Sequence, residues 1–462
     1  MNGWTLYLVK MEFGKSNYNM STTKTETGVY SNMTALEVKR FKHWQKRTII
    51  VSMIGYALFY FVRKNISMAL PFINEDLGIS KSDLGLFLTL HGLIYGVSKF
   101  VNGYLGDRAN ARYFMVIGLV LSAVANILFG FSSAVLTLGL FWMMNGWFQG
   151  MGFPPCARLL TNWVPPKELA TKMSVWNTSH SIGAGLVVVF TGYVLTLNWD
   201  WTGLATWRWA FFLPSAVALI GAFFLWIFLR DTPRSVGLPE MNLGKGGESK
   251  DNTSSKEFRA FVRKQVFMNP AIWILSIANF FVYSIRYAVL DWGPTMLKEN
   301  LNMDISNAGW SVAAFEISGI VGMLAAGWLT DKVFKGRGAR YCVFAMVLTA
   351  LSLVSLSVLN ISSPMWLAVI ILALAGFFIY GPQALVGIAA ANMATKNAAA
   401  TAVGFTGLFG YLSAIISGWG VGMMVETMGW DITINILIVL ACIGSLVFLL
   451  AWRFPAHGYD QN

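Results

Sequence analysis

Charged side chains are scarce in this sequence. Only 12% of the 462 residues are Asp, Glu, Lys or Arg, whereas 56% are hydrophobic, and the mean hydropathy is +0.57. Average soluble domains carry about twice that charged fraction. The shortage excludes an ordinary soluble protein and indicates that lipid is the main solvent of the chain.

Residues that carry covalent or metal chemistry are also few. The three cysteines, Cys156, Cys342 and Cys442, lie far apart in or beside apolar segments and have no metal-ligand spacing. They indicate no disulfide framework and favour burial of each thiol. No nucleophile–base pair or phosphate-binding glycine loop is present, and close helix packing explains the glycine-rich phrases. We therefore predict no enzyme, no metal and no cofactor, and we see no signal peptide.

Apolar stretches of about 20 residues, the length that crosses a bilayer as a helix, recur along most of the chain. They predict an all-α membrane protein with twelve transmembrane helices in two six-helix halves. The predicted spans are residues 47–70, 84–106, 112–131, 135–160, 170–197, 207–230, 270–297, 306–330, 340–360, 364–391, 398–426 and 431–453. The remaining segments are a polar, partly disordered N-terminal segment (1–46), a solvated linker (231–267) and a tail (454–462), and the halves are residues 47–230 and 268–453.

The net charge of +12 has an uneven distribution. Most basic residues precede the first span, lie in the linker, or follow the second, fourth, eighth and tenth spans, all on one side of a twelve-helix topology. The positive-inside rule therefore predicts that both termini and the linker are cytoplasmic. The basic charge indicates topology, and we expect no nucleic-acid partner.

The two halves share an internal repeat. Tyr60 and Arg63 recur as Tyr283 and Arg286 at an offset of 223 residues, and each pair is followed by a proline eight residues after its arginine. The loop after the second span recurs after the eighth at an offset of 224. Its motif residues are Gly103, Asp107, Arg108 and Arg112, with Asp331 at the repeat position. This loop resembles the signature of the major facilitator superfamily, which implies a substrate site between the halves near the midplane.

Charges in the interior of the spans are expensive and need a partner or a purpose. There are four cations and two acids, a surplus of two positive charges. The six residues are Arg63, Lys64, Lys99, Arg286, Asp291 and Glu316. We expect Lys64 to pair with Asp291 or Glu316, which leaves Arg63, Arg286 and Lys99 without an obvious counterion.

The repeat places Arg63 and Arg286 at equivalent positions, so both guanidinium groups should point into one central pore. Guanidinium donates in a planar, bidentate geometry that suits phosphate. A phosphate monoester brings about two negative charges at neutral pH, which matches the surplus. Snorkelling of Arg63 to the membrane surface is the alternative. Lys99 has no repeat counterpart, since the equivalent residue is Met323, and suits an asymmetric substrate tail.

Other polar residues could line the same pore. We predict a phosphate-binding role for His180, although a lone membrane histidine often serves helix packing. Six tyrosines could supply hydroxyl groups, or else belong to the interfacial belt or the core. They are Tyr56, Tyr60, Tyr95, Tyr283, Tyr380 and Tyr411.

Longer phrases resemble the organophosphate:phosphate antiporters from the first span to the last. They are GYALFYFVRKN (55–65), YGVSKF (95–100), GWFQGMGFPPC (146–156), WNTSH (176–180), RYAVLDW (286–292) and GFTGLFGYL (404–412). The resemblance implies exchange of a small organophosphate for inorganic phosphate by alternating access in a bacterial inner membrane, by a functional monomer. It places the phosphate-binding arginines at Arg63 and Arg286, and binding roles at His180, Lys99 and the six tyrosines. It also implies a salt-bridge cluster of Lys64, Asp291 and Glu316.

Within that family the chain resembles the glycerol-3-phosphate carriers most, particularly after residue 270. Three departures bear on the substrate. Phe153 replaces a pore tryptophan of those carriers, and Val403 and Thr406 replace an Asp and a Lys of the hexose-6-phosphate carriers. The phrases ARYFM (111–115) and CARLL (156–160) instead resemble a hexose-phosphate receptor that partners a membrane histidine kinase. The replacements at residues 403 and 406 disfavour a hexose-6-phosphate carrier of that type. It stays as an alternative, together with a sugar-phosphate sensor coupled to a membrane histidine kinase.

Overall fold

A computed structural model describes residues 29–106, 109–242 and 260–454, and each of the twelve predicted spans is mostly helical. The helices are α1 (Ala35–Phe61), α2 (Ile66–Leu77), α3 (Lys81–Gly106), α4 (Ala111–Phe131), α5 (Val135–Gln149), α6 (Phe153–Trp163), α7 (Pro166–Val194), α8 (Thr206–Phe228), α9 (Pro270–Leu301), α10 (Ile305–Lys332), α11 (Gly338–Ser357), α12 (Met365–Met393), α13 (Thr395–Leu412) and α14 (Val421–Leu450). Single turns of 3₁₀ helix occur at Asp200–Thr202 and Pro233–Val236, and π turns at Arg263–Phe267 and Ile415–Gly420.

Eight helical stretches in the described residues are long and apolar enough to cross a membrane. One of them, Thr401–Leu450, contains two predicted spans. Non-helical backbone at Gly429, with φ 80° and ψ 175°, divides it between them. The remaining spans are α3, the consecutive short helices α5 and α6, and α7.

Helices pack mainly within their own half. In the first half α4 packs on α8 and α5, and in the second half α10 and α11 pack on α12. The halves meet where α7 crosses α10 and where α3 crosses the π turn Ile415–Gly420. These crossings rest on glycine: a Cβ on Gly85 would lie 2.5 Å from the carbonyl oxygen of Gly418, and one on Gly309 would lie 2.8 Å from that of Val188. Small residues let the helix backbones of the two halves touch.

Two exposed ion pairs between the halves lie at one end of the bundle, beside the turns at residues 78–80 and 302–304, and we call this end the closed end. Lys81 Nζ lies 2.8 Å from Glu299 Oε2, and Lys298 Nζ lies 2.6 Å from Glu75 Oε1. Each glutamate takes its lysine from the other half. No ion pair among the described residues joins the halves at the opposite end, the linker end, where residues 231–242 lie.

The first residues of the linker are packed against the first half, whereas the sequence predicted that the linker is solvated. Asp231 is buried, accepts a hydrogen bond from Ala111 N at 3.1 Å and lies 3.6 Å from Arg158 Nη2. Leu238 packs into the core of the first half together with Met33, so residues 29–34 are also folded there rather than disordered. Asn242 N donates to Val29 O at 2.8 Å. Residues 1–28, 243–259 and 455–462 lie outside the described residues.

The first span is broken between α1 and α2, at the position of Arg63. Side-chain amides from two other helices satisfy the backbone there: Asn126 Nδ2 and Asn145 Nδ2 donate to Val62 O at 2.7 and 2.9 Å. Asn65 Nδ2 donates to Ala210 O at 3.0 Å. Non-helical backbone at membrane depth needs such partners. The equivalent helix α9 runs unbroken past Arg286, so the repeat is not exact here.

Candidate functional site

A central cavity of about 300 Å³ lies between the halves. Along the bundle it lies between the closed end and the linker end. It contains every side chain that the sequence predicted for substrate binding except Tyr380. The predicted lining residues are Tyr56, Tyr60, Arg63, Tyr95, Lys99, Phe153, His180, Tyr283, Arg286 and Tyr411. The structure therefore brings together residues from α1, α3, α6, α7, α9 and α13, as well as from the break after α1.

Arg63 is buried at the break between α1 and α2 and faces aromatic rings. Its guanidinium carbon lies 4.0 Å from the centroid of the Tyr95 ring and 5.4 Å from that of Tyr60. No carboxylate among the described residues forms an ion pair with it. The alternative of snorkelling to the membrane surface does not fit a buried position in the cavity wall, and the guanidinium charge is free for an anionic ligand.

Arg286 occupies the equivalent place in the second half but has more protein partners. Its Nη2 donates to Tyr380 OH at 2.8 Å and lies 3.6 Å from Glu316 Oε1, which is completely buried. The expectation that Arg286 lacks a counterion is therefore wrong, because Glu316 reaches it from α10. Tyr380 stands behind the arginine rather than in the cavity wall.

Lys64 and Asp291 form a buried ion pair, one of the two pairs that the charge count left open for Lys64. The lysine comes from the break after α1 and the aspartate from α9, so the pair joins the two halves. Lys64 Nζ also lies 4.9 Å from the centroid of Tyr287. With each acid next to one cation, Arg63 and Lys99 carry the surplus of two positive charges.

Lys99 is half-buried on α3 and makes contact with both halves. Its Nζ donates to Tyr411 OH at 3.0 Å and lies 4.1 Å from the centroid of Phe153. Met323, the residue at the repeat position of Lys99, also lines the cavity. The wall thus carries a cation at one of these two repeat positions and an apolar side chain at the other, an asymmetry that can distinguish the two ends of a substrate.

His180 is buried on α7 beside the cavity. Its Nδ1 contacts Asn177 O, its Nε2 lies 3.3 Å from Ser181 Oγ, and its ring centroid lies 5.8 Å from that of Tyr60. These contacts hold the imidazole at the wall, next to the aromatic rings that surround Arg63.

Sequence reasoning missed several lining residues. They are Asn177, Asn279, Tyr287, Met323 and Gln383. The repeat could have found two of them, since Asn279 is equivalent to Tyr56 and Tyr287 to Lys64. Asn279 Nδ2 donates to Thr406 O at 2.9 Å. No signal in the sequence singles out Gln383.

A smaller cavity of about 30 Å³ lies beyond Arg63, toward the closed end. It is lined by both Lys64 and Asp291 and by His91 of α3, whose Nε2 lies 3.1 Å from Asn145 Oδ1. Because Asn145 also supports the break at Val62, His91 belongs to the network that holds Arg63.

The described residues of the loop motif lie away from the cavity. Asp107 and Arg108 of the loop motif are outside the described residues, Gly103 lies in α3, Asp331 is exposed near the end of α10, and Arg112 donates to Trp226 O. Val403 and Thr406, which replace the charged pair of the hexose-6-phosphate carriers, both line the cavity. Cys156 and Cys342 are buried as expected, whereas Cys442 is exposed.

Known proteins with similar sequences are transporters and a sensor. The chain is 40% identical over 431 residues to a probable hexose phosphate transport protein of Chlamydia trachomatis (90% of this chain, 92% of the relative). It is 38% identical to the membrane sensor protein UhpC of Escherichia coli (89% and 92%) and 36% identical to a glycerol-3-phosphate transporter of Bacillus subtilis (89% and 93%).

A solved structure shares the fold. A bacterial homologue of the human lysosomal transporter Spinster, in an inward-facing and unoccupied conformation, superposes with a TM-score of 0.73 at 17% identity, over 89% of this chain and 97% of the other. The family model of the Major Facilitator Superfamily matches residues 52–418 and 295–458. The chain is therefore a non-enzymatic, multi-pass membrane transporter that belongs to the Major Facilitator Superfamily and, within it, to the organophosphate:phosphate antiporter family.

Proposed function

We propose that this protein exchanges a small organophosphate for inorganic phosphate. The observation that carries the proposal is the cavity between the halves, which Arg63, Arg286 and Lys99 line with a surplus of two positive charges. A phosphate monoester near neutral pH carries a matching charge of about −2. Relatives at 36–40% identity are named for transport of glycerol-3-phosphate and hexose phosphate, which supports this substrate class.

Glycerol-3-phosphate is our first candidate for the organic substrate, with hexose 6-phosphate as the alternative. The identities do not favour it, since the relatives named for hexose phosphate share 40% of residues and one named for glycerol-3-phosphate shares 36%. The support comes from the cavity wall, where Val403 and Thr406 offer no charged pair to a sugar ring. We expect Lys99, His180 and Phe153 to determine which organic group of a phosphate ester the cavity accepts.

Exchange follows from the charges in the empty site. When the halves close around the cavity without a ligand, the charges of Arg63 and Lys99 lose water and gain no carboxylate. Burying uncompensated charges is costly, and a bound dianion removes this cost. Only a loaded protein then rocks between a form open at the linker end and a form open at the closed end. We place both termini and the linker in the cytoplasm of a bacterium and expect a functional monomer in the inner membrane.

Uptake by vesicles tests the exchange. In proteoliposomes preloaded with phosphate, external labelled glycerol-3-phosphate should enter rapidly, and its uptake should fall to the background of empty liposomes when internal phosphate is omitted. Uptake that proceeds equally well without internal phosphate would contradict obligate exchange. Competition by a panel of phosphate esters in the same assay ranks the organic substrates.

The crossed ion pairs at the closed end should bias which end opens. Each exposed pair contributes about 0.2–1 kcal/mol, so Glu75→Gln with Glu299→Gln should raise the population open at the closed end several-fold. The reporter is Ala414→Cys, beneath this end, in a background with the three native cysteines replaced by alanine. Its labelling by a membrane-impermeant thiol reagent should become several-fold faster.

The matched control for this double variant is Glu240→Gln. It removes the exposed Arg234–Glu240 pair, which lies within a single segment of the linker. Its labelling rate should equal that of the parent protein. Equal labelling in all three proteins would mean that the crossed pairs have no part in the equilibrium.

A phosphate-ester sensor is the second candidate, because the chain shares 38% identity with the sensor UhpC. A sensor would bind phosphate esters in the same cavity. The two functions separate in one experiment: ligand binding to the detergent-purified protein together with no exchange in proteoliposomes favours the sensor.

A further inference from the structure

Three arginines converge on the last turn of α8 at the linker end. Arg47 Nε donates to Phe228 O at 3.3 Å, and Arg230 Nη1 donates to Leu229 O and Ile227 O, both at 2.7 Å. Arg112 donates to Trp226 O. The three come from α1, from the start of α4 and from the residue pair after α8, so the fold, rather than one sequence run, assembles the cluster.

The cluster keeps an excess of positive charge. None of the ion pairs within the described ranges includes any of the three arginines. The acid that follows in sequence, Asp231, faces Arg158 and the amide of Ala111 instead.

Aromatic side chains surround the arginines on the outer face of the bundle. Arg47 lies 4.5 Å from the centroid of Trp44 and 5.0 Å from that of Phe228. Arg230 lies 5.8 Å from the same Trp44 ring, and Arg112 lies 5.9 Å from that of Trp226. Trp226 and Phe228 are exposed. Exposed aromatic rings are expected where the end of a transmembrane helix faces lipid. Tryptophan is typical of the level of the lipid headgroups.

We propose that this arginine cluster, Arg47, Arg112 and Arg230, binds the phosphate of an anionic phospholipid headgroup. Basic pockets between transmembrane helices at the cytoplasmic side suit such headgroups, and guanidinium donates to phosphate oxygens in a bidentate geometry. The exposed aromatic rings can cover the acyl chains beside the headgroup. A second copy of this chain is a poorer occupant, because it would bring the same three arginines or another basic loop to this end.

Capping of the helix end explains the carbonyl contacts but not the number of cations. Basic residues commonly bond the last carbonyls of a helix. Arg208 does this alone at the other end of the bundle, where it donates to Gly130 O and Ser132 O at 2.7 and 2.8 Å and lies 4.5 Å from Trp207. One arginine is enough for capping, so Arg208 serves as the matched control.

Lipid binding to the detergent-purified protein tests the proposal. The protein is held in saturating inorganic phosphate, which fills the central cavity, and phosphatidylglycerol or phosphatidylcholine is added. Native mass spectrometry should show phosphatidylglycerol bound at least tenfold more tightly than phosphatidylcholine. The preference should be lost in Arg47→Gln/Arg112→Gln/Arg230→Gln and kept in Arg208→Gln.

Two further arms separate the remaining explanations. The variant Arg47→Lys/Arg112→Lys/Arg230→Lys keeps the charge and should keep most of the preference for phosphatidylglycerol. It tests the proposal even if the triple glutamine variant fails to fold. Soluble glycerol-3-phosphate in excess should not displace the lipid. An equal affinity for the two lipids, a preference that survives the glutamine substitutions, or displacement by the soluble ester would each overturn the proposal.

Discussion

Arg63→Lys should lower phosphate exchange at least tenfold in proteoliposomes, and Arg286→Lys should do the same. Lysine keeps the positive charge but cannot present two parallel donors to one phosphate. A charge-assisted hydrogen bond contributes about 1.5–3 kcal/mol, which corresponds to roughly 10- to 150-fold in phosphate affinity. Initial rates of phosphate–phosphate exchange measure the effect with a single ligand that has no organic tail.

The two arginine variants also test the division between head and tail. Arg208→Lys, outside the cavity, controls for the substitution itself and should exchange normally. Lys99→Met should slow uptake of the organic substrate more than phosphate–phosphate exchange if Lys99 contacts the tail. Near-normal exchange in Arg63→Lys would remove the bidentate clamp from the mechanism, and damage in only one of the two arginine variants would mean that Arg63 and Arg286 do not act as partners.

Asp291→Asn should destabilise the protein by about 3–5 kcal/mol, because it leaves Lys64 buried without its partner. The free energy cost should be large because both members of the pair are buried. Thermal unfolding in detergent, followed through the exposure of buried cysteine to a fluorogenic thiol dye, measures the loss.

The double variant Lys64→Met/Asp291→Leu isolates the pair from its surroundings. Replacing a buried ion pair by apolar residues of similar volume is often close to neutral, so the double variant should recover most of the stability that either single change removes. A double variant as unstable as the sum of the singles would show that the residues do not act as a pair. Restored stability without restored exchange would assign the pair a role in joining the halves during transport.

Much of the site was predictable because it repeats. The equal offsets of Tyr60 with Tyr283 and of Arg63 with Arg286 put two arginines in one cavity, and the charge count predicted the surplus that remains there. Residues in equivalent places carry this kind of information even without a second sequence. The same offset would have predicted Tyr287 and Asn279 had it been applied to every position.

Contacts that join distant helices were not predictable. Periodicity cannot tell whether Glu316 pairs with Lys64 or with Arg286. Only the packing of α10 against α9 assigns it to Arg286. The break at Val62 depends on amides from Asn126 and Asn145, which lie on two other helices. Local sequence shows neither partner, so the sequence predicts residues 47–70 as one continuous span.

The glycine contacts between the halves have a mechanical consequence. At the crossings of α3 with the π turn and of α7 with α10, glycine faces a backbone carbonyl. Where the side-chain ridges of one helix pack into the grooves of another, those side chains have to move past one another before the helices can slide. Glycine against backbone presents no such ridge, so we expect the residues that allow close contact between the halves also to lower the barrier to their sliding.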